Sequence, residues 1–199
     1  MAFRSVLAKI LVMAASLFAL PASAADFMPT GGRTTQPVGH WELCQLYPNE
    51  CAGKNATTER AQLTEKLWSS IIEVNDFINA AVKPMTDMEM WGREEVWSFP
   101  DSGFGDCEDY VLAKRRELQK IGISASDLLI TVVRQPSGEG HAVLTVRTDR
   151  GDFVLDNLEP QVMQWYETKY TFLKRQSERA PGMWVSIEDG RAVAVGSVR

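Results

Sequence analysis

Histidine is nearly absent: His40 and His141 are the only two in 199 residues, so imidazole chemistry has two possible homes. Cysteine is scarce too. Cys44, Cys51 and Cys107 are too few for a disulfide-rich miniprotein. Positive charge is not in excess. Lys and Arg number 21 against 26 Asp and Glu, giving a formal charge of −5 and a pI near 5.2. That balance argues against a nucleic-acid binder. The apolar run Ile10 to Leu20 falls well short of the about 20 residues a membrane span needs. No repeat, low-complexity tract or second-domain boundary interrupts the chain. What is present is the composition of an ordinary globular protein, 45% hydrophobic and 24% charged, with about one domain's length.

The N-terminus reads as an address. Arg4 and Lys9 give a cationic start, Ile10 to Leu20 an apolar centre, and Pro21 a break. Ala22-Ser23-Ala24 then supplies the small residues of a cleavage site. Residues 1–24 are expected to be a signal peptide and 25–199 a single domain. The mature form would then have no membrane span and would work in the periplasm or outside the cell, where disulfides persist. In that setting Cys44 and Cys51, seven apart around Pro48 and Asn49, read as one disulfide closing a short loop. A metal site built on His40, Cys44 and Cys51 is the alternative, though it lacks a fourth ligand and zinc-module spacing. Cys107 is left over, as a buried bystander, half of an intermolecular bridge, or a reactive thiol.

Residues 26–40, rich in Gly, Pro and Thr, read as an extended arm. Leu63, Leu67, Ile71, Val74, Phe77 and Ala81 recur at helical spacing and predict a helix over 57–82, ended by Lys83-Pro84. Residues 85–105 show no clean period and read as a structured loop. A second helix is expected over 106–120, with Gly122 as its stop. Strands are expected at 128–133, 141–147 and 152–156, and a last hairpin at 184–187 and 191–195 around Glu188-Asp189-Gly190.

The chemistry lies between Gly105 and Asp156. Cys107 sits where a loop turns into a helix. There unpaired N–H groups and the helix dipole stabilise a thiolate and could hold an oxyanion. Asp106, Glu108 and Asp109 push the thiol the other way, so it needs a cationic partner or a cation that neutralises them. Those three carboxylates also have a plain reading, as a helix cap and dipole-friendly surface residues. His141 opens a strand, and Asp156 ends the next one. If the loop between the strands holds two or four residues, Asp156 opposes Val143 and lies diagonal to His141 on one face. A three-residue loop would part them. A carboxylate beside the imidazole fixes its tautomer and stabilises imidazolium, as a base serving a nucleophile requires.

Gly105-Asp106-Cys107-Glu108-Asp109-Tyr110, Gly140-His141-Ala142-Val143-Leu144 and Val154-Leu155-Asp156-Asn157-Leu158 together resemble the bacterial transglutaminase-like cysteine proteinases. The best-known branch is that of LapG-like periplasmic proteases, which clip large RTX adhesins from the cell surface. The resemblance implies an α+β, papain-like/transglutaminase-like fold, with the catalytic Cys at a helix N-terminus packed on an antiparallel β-sheet. It implies Cys107 as nucleophile, His141 as general base and acid, and Asp156 as orienting acid. It also implies Ca2+ at Asp106, Glu108 and Asp109, with help from carbonyls, waters or loop residues such as Asp101. The substrate would be an extended segment of an exported protein, and an inner-membrane receptor a further partner. The Cys44–Cys51 pair is foreign to the adhesin-clipping branch and leaves room for another substrate. A protein acyl transferase (a transglutaminase or deamidase) uses the same triad, and a non-catalytic periplasmic binding module stands as the bland alternative.

Overall fold

The computed structural model of the chain describes residues 26–52 and 59–190. The expected signal peptide, the start of the first long helix at Thr57 and the strand at 191–195 lie outside them. The frame is a seven-stranded antiparallel sheet in the order β1-β9-β8-β4-β5-β6-β7. Its strands are β1 (Thr30–Thr34), β4 (Leu128–Arg134), β5 (Gly140–Thr148), β6 (Gly151–Leu155), β7 (Met163–Gln164), β8 (Thr171–Ser177) and β9 (Ala180–Ile187). Helices α1 (Val38–Leu46), α2 (Pro48–Cys51), α3 (Glu65–Ala81), α4 (Asp87–Trp91) and α5 (Cys107–Lys120) precede most of the sheet in sequence. Two short strands, β2 (Lys83–Pro84) and β3 (Phe104–Gly105), pair in parallel beside α5. This is the expected α+β architecture, with the Cys107 helix packed on an antiparallel sheet.

Helix α5 fills the centre. It packs on β4 and β5 on one side and against α3 on the other. Val111, Leu112 and Leu118 enter a core with Ile71, Leu128, Ile130, Leu144, Leu155 and Trp184. Each such side chain contributes about 1.5–3 kcal/mol by leaving water. The phenol of Tyr110 donates to the Val82 carbonyl at 2.6 Å, tying α5 to the end of α3.

Several expectations are corrected. The first long helix starts at Glu65, because the Thr64 side chain accepts from Leu67 N and caps it. Just before the cap, Leu63 N donates to Asp149 Oδ1, and Ala61 bridges to Thr148. That segment is bound to the sheet and cannot extend the helix. Phe77 is 64% exposed and Ile78 takes the core position, so the buried face runs through Leu67, Ile71, Asn75 and Ile78. The arm at 26–40 is an edge strand followed by the start of α1. The loop at 85–105 contains α4, begun by a capping box between Thr86 and Glu89. The segment 184–187 belongs to β9, whose partners are β8 and β1.

The β5–β6 hairpin sets the site. Its loop is Asp149-Arg150, and Leu144 pairs with Leu155 and Thr148 with Gly151. The loop is even, as the diagonal placement of His141 and Asp156 requires. Gly151 holds φ +129°, and a Cβ there would lie 2.5 Å from Gln164 Oε1 and 2.8 Å from the Asp26 carbonyl oxygen. Only glycine fits this position.

Candidate active site

Cys107 is the first residue of α5, and Asp106 stands at the N-cap. The Asp106 side chain makes no capping bond; its Oδ1 is buried and without a hydrogen-bond partner. Glu108 and Asp109 are buried as well, so the surface reading of these carboxylates does not hold. Glu108 Oε2 accepts from the Cys107 thiol at 3.0 Å. Burial, and then the Glu108 charge, push the Cys107 thiol well above its ordinary range, while the Ala142 backbone pulls it down. The sulfur therefore lies against β5 one residue past His141. Cys107, His141 and Ala142 line one cleft of about 620 Å³, with Trp97, Val132 and Lys174 among its other walls.

His141 is buried, and its Nε2 lies 2.7 Å from Asp156 Oδ1. Asp156 follows the last residue of β6, and its environment is fixed from all sides. Leu158 N donates to Oδ1 at 3.0 Å, Tyr170 Oη to Oδ2 at 2.5 Å, and Asn79 Nδ2 to the main-chain carbonyl at 2.8 Å. Burial works against ionisation of this carboxyl. The His141 bond and charge, with the Leu158 and Tyr170 bonds, outweigh it and hold the group below its usual range.

The expected metal residues divide. Asp106 and Glu108 come together with Asp87, and oxygens of all three lie within 4.8 Å of one another. Asp87 Oδ2 accepts from Val96 N at 2.5 Å, whereas Oδ1 has no partner. Burial, then the charges of Glu108 and Asp87, push Asp106 up to about 8. Asp109 turns elsewhere: its Oδ1 accepts from Ser98 N at 2.7 Å and pins the preceding loop to α5. A Cβ at Gly105 would come 2.7 Å from Asp109 Cβ, which explains the glycine two residues before Cys107. Asp101 pairs with Arg116 at 2.6 Å.

Cys44 and Cys51 form the expected disulfide, and Cys107 is the free cysteine. His40 sits in the core between Trp97 and Trp184, with its Nδ1 accepting from Trp184 Nε1 at 3.2 Å. Asp87, Asn79 and Tyr170 were not singled out in the sequence. The capping box Thr86-Asp87-Met88-Glu89 was a readable helix signal. Nothing local marked Asn79 or Tyr170, because both reach Asp156 only through the tertiary fold.

A family model described as bacterial transglutaminase-like cysteine proteinase BTLCP matches residues 30–192. The chain belongs to this family and is a cysteine peptidase. Among solved structures, it resembles Legionella pneumophila LapG at 25% identity, covering 60% of this chain and 68% of that one with a TM-score of 0.51. Calcium-bound LapG from the same organism matches at 23% identity with the same coverage and TM-score. An EGTA-treated form matches at 22%, covering 64% of this chain and 74% of that one, again with a TM-score of 0.51. A comparison with curated proteins finds no match. Among the described residues, no helix is long and apolar enough to cross a membrane.

Proposed function

We propose that the protein is an exported peptidase in which Cys107, His141 and Asp156 form the catalytic triad. The observation that carries this reading is the 2.7 Å bond from His141 Nε2 to Asp156 Oδ1, with His141 and Cys107 lining one cleft. Bonding through Nε2 leaves Nδ1 to exchange a proton with the thiol. The thiol proton passes to His141 as the sulfur attacks the peptide carbonyl carbon. The C–N bond then breaks, and His141 returns the proton to the leaving amine. Water, deprotonated by His141, releases the acyl group and restores the thiol. Asp156 stabilises imidazolium in both halves. The backbone N–H groups that open α5 are suited to the oxyanion.

The residues also suit a hard divalent cation. Asp87, Asp106 and Glu108 offer converging oxygens, and two of those oxygens are buried without partners. They would hold calcium, with carbonyls or waters completing the six to eight oxygens it takes. When bound, the ion cancels negative charge that opposes ionisation of Cys107. The calcium-bound state of a related fold supports this choice of ion.

The substrate is an extended segment of a periplasmic or cell-surface protein, with large RTX-type adhesins as the first candidates and an inner-membrane receptor as the regulatory partner. Incubating the calcium-loaded protein with surface proteins and mapping new N-termini tests the reaction. Cut sites should appear with the wild type and vanish with Cys107→Ser and with His141→Ala, while both variants keep the wild-type melting temperature. Incorporation of a fluorescent amine without cleavage would replace the peptidase reading with acyl transfer. Unchanged cleavage by Cys107→Ser would end both readings.

A further inference from the structure

The hydrogen bonding around Asp156 goes beyond a triad. Tyr170 precedes β8 directly, and its hydroxyl donates to Asp156 Oδ2 at 2.5 Å. The opposite oxygen, Oδ1, serves His141 at 2.7 Å and Leu158 N at 3.0 Å. The Tyr170 ring also stands 5.6 Å from the His141 ring, tilted at 55°. One side chain therefore touches both partners of the pair. We infer that Tyr170 is a positioning residue of the active site, holding the Asp156 carboxylate in the rotamer that presents Oδ1 to His141. The inference rests on the triad reading.

The physical case is one of competing orientations. A carboxylate with one committed oxygen can turn about its last torsion, which is broad. A donor on the second oxygen removes that freedom, and a charge-assisted bond is among the stronger ones available. The donor must also stay protonated. Burial, and then the bond to Asp156 and its charge, raise the Tyr170 phenol above its ordinary range, so it remains a donor wherever Asp156 is an anion. Other charged groups face the same carboxylate. His141 approaches from β5. Lys114, from α5, is fully buried with no hydrogen-bond partner for its Nζ; burial pushes its ammonium down to about 7, against the charges of Asp156 and of Asp76 on α3. Glu159 acts on Tyr170 from the loop after β6. When protonated, Lys114 adds positive charge without direction, and Tyr170 supplies the direction.

The test reads Asp156 without turnover. In the full mature protein, the His141 Nε2–H proton resonance reports its bond to Asp156. The pH at which that resonance collapses on acidification gives the carboxyl midpoint. Tyr170→Phe keeps the ring against His141 and removes one donor to the anion. The midpoint should rise by about one pH unit. Replacing Tyr170 with a fluorotyrosine, a stronger donor on the same skeleton, should move it the opposite way. On a peptide spanning a mapped cut site, Tyr170→Phe should lower kcat about tenfold with KM unchanged. An unchanged midpoint in both variants would overturn the inference, leaving Tyr170 a packing residue, whatever the melting temperatures. Loss of the triad reading shows separately, as cleavage that survives Cys107→Ser.

Discussion

Two histidines differ in what surrounds them, and that difference divides their work. His141 has a carboxylate at one nitrogen and faces the cleft with Cys107. His40 is walled by Trp97 and Trp184, and Gln176 Nε2 lies 3.0 Å from its Nε2. Burial first, and then the Arg115 charge, push the His40 imidazole down to about 4 from the 6.5 of a free side chain. The unfolded chain therefore takes up a proton between those values that the folded chain refuses. The stability from keeping His40 neutral is complete above pH 6.5 and is lost as pH falls towards 4, by about 3 kcal/mol in all. Urea unfolding of the wild type and of His40→Gln at neutral and acidic pH checks this. The wild type should lose more stability on acidification than the variant, and an equal loss would mean that His40 protonates freely in the fold.

At the scale of elements, the β5–β6 hairpin does most of the positioning. Its register follows from a two-residue loop and one demanding glycine, so Gly151→Ala should cost about 1–3 kcal/mol in a thermal melt and reduce peptidase activity with it. The α1–α2 corner is held by the Cys44–Cys51 bridge and by the ion pair of Glu50 with Arg115 on α5. Replacing both cysteines with serine should lower stability by somewhat under ~3 kcal/mol, the range for a short closed loop, while Cys107 keeps its reactivity. These elements also show what a sequence can and cannot carry. The hairpin pairing was legible because the side-chain period of a strand is two and the loop residues name themselves. The Cys107 helix was legible from the stop at Gly122 and the acidic run at its start. The beginning of α3 was not, because its periodic apolar residues continue past the cap into a segment that docks on Asp149. The edge strand β1 and strand β8 were not legible: TGGRT buries no side chain and is held by pairing with β9, and TFLKRQS, which lies between β9 and β4, shows no clean alternation of apolar and polar residues. Asp87 and Tyr170 are legible only in three dimensions. Their partners lie 19 and 14 positions away, at Asp106 and Asp156, across no local pattern.

For the whole molecule, the acidic cluster beside Cys107 bears on stability. Asp87 belongs to α4, Asp106 to the N-cap of α5 and Glu108 to its first turn. An ion shared by the three would tie the 83–105 segment to the Cys107 helix. Without an ion the cluster is costly: burial and mutual repulsion raise Asp106 to about 8, and Asp87 is raised by burial first and by neighbouring carboxylates after it. A ligand that binds only the folded state stabilises it by RT ln(1 + [L]/Kd), about 2.7 kcal/mol at a hundredfold excess over Kd. Saturating calcium should therefore raise the melting temperature by several degrees, and a chelator should reverse the gain. Magnesium at equal concentration should do much less, because it prefers a smaller octahedral shell and sheds its waters reluctantly. Asp87→Asn separates this from a general salt effect. It removes one charge from the repelling group, so the ion-free protein should melt no lower than the wild type, yet its response to calcium should largely disappear. A variant that melts higher with calcium by the full wild-type increment would place the ion elsewhere on the molecule. A wild type indifferent to both calcium and chelator would leave Asp87, Asp106 and Glu108 as a buried acidic group that the fold carries at a loss.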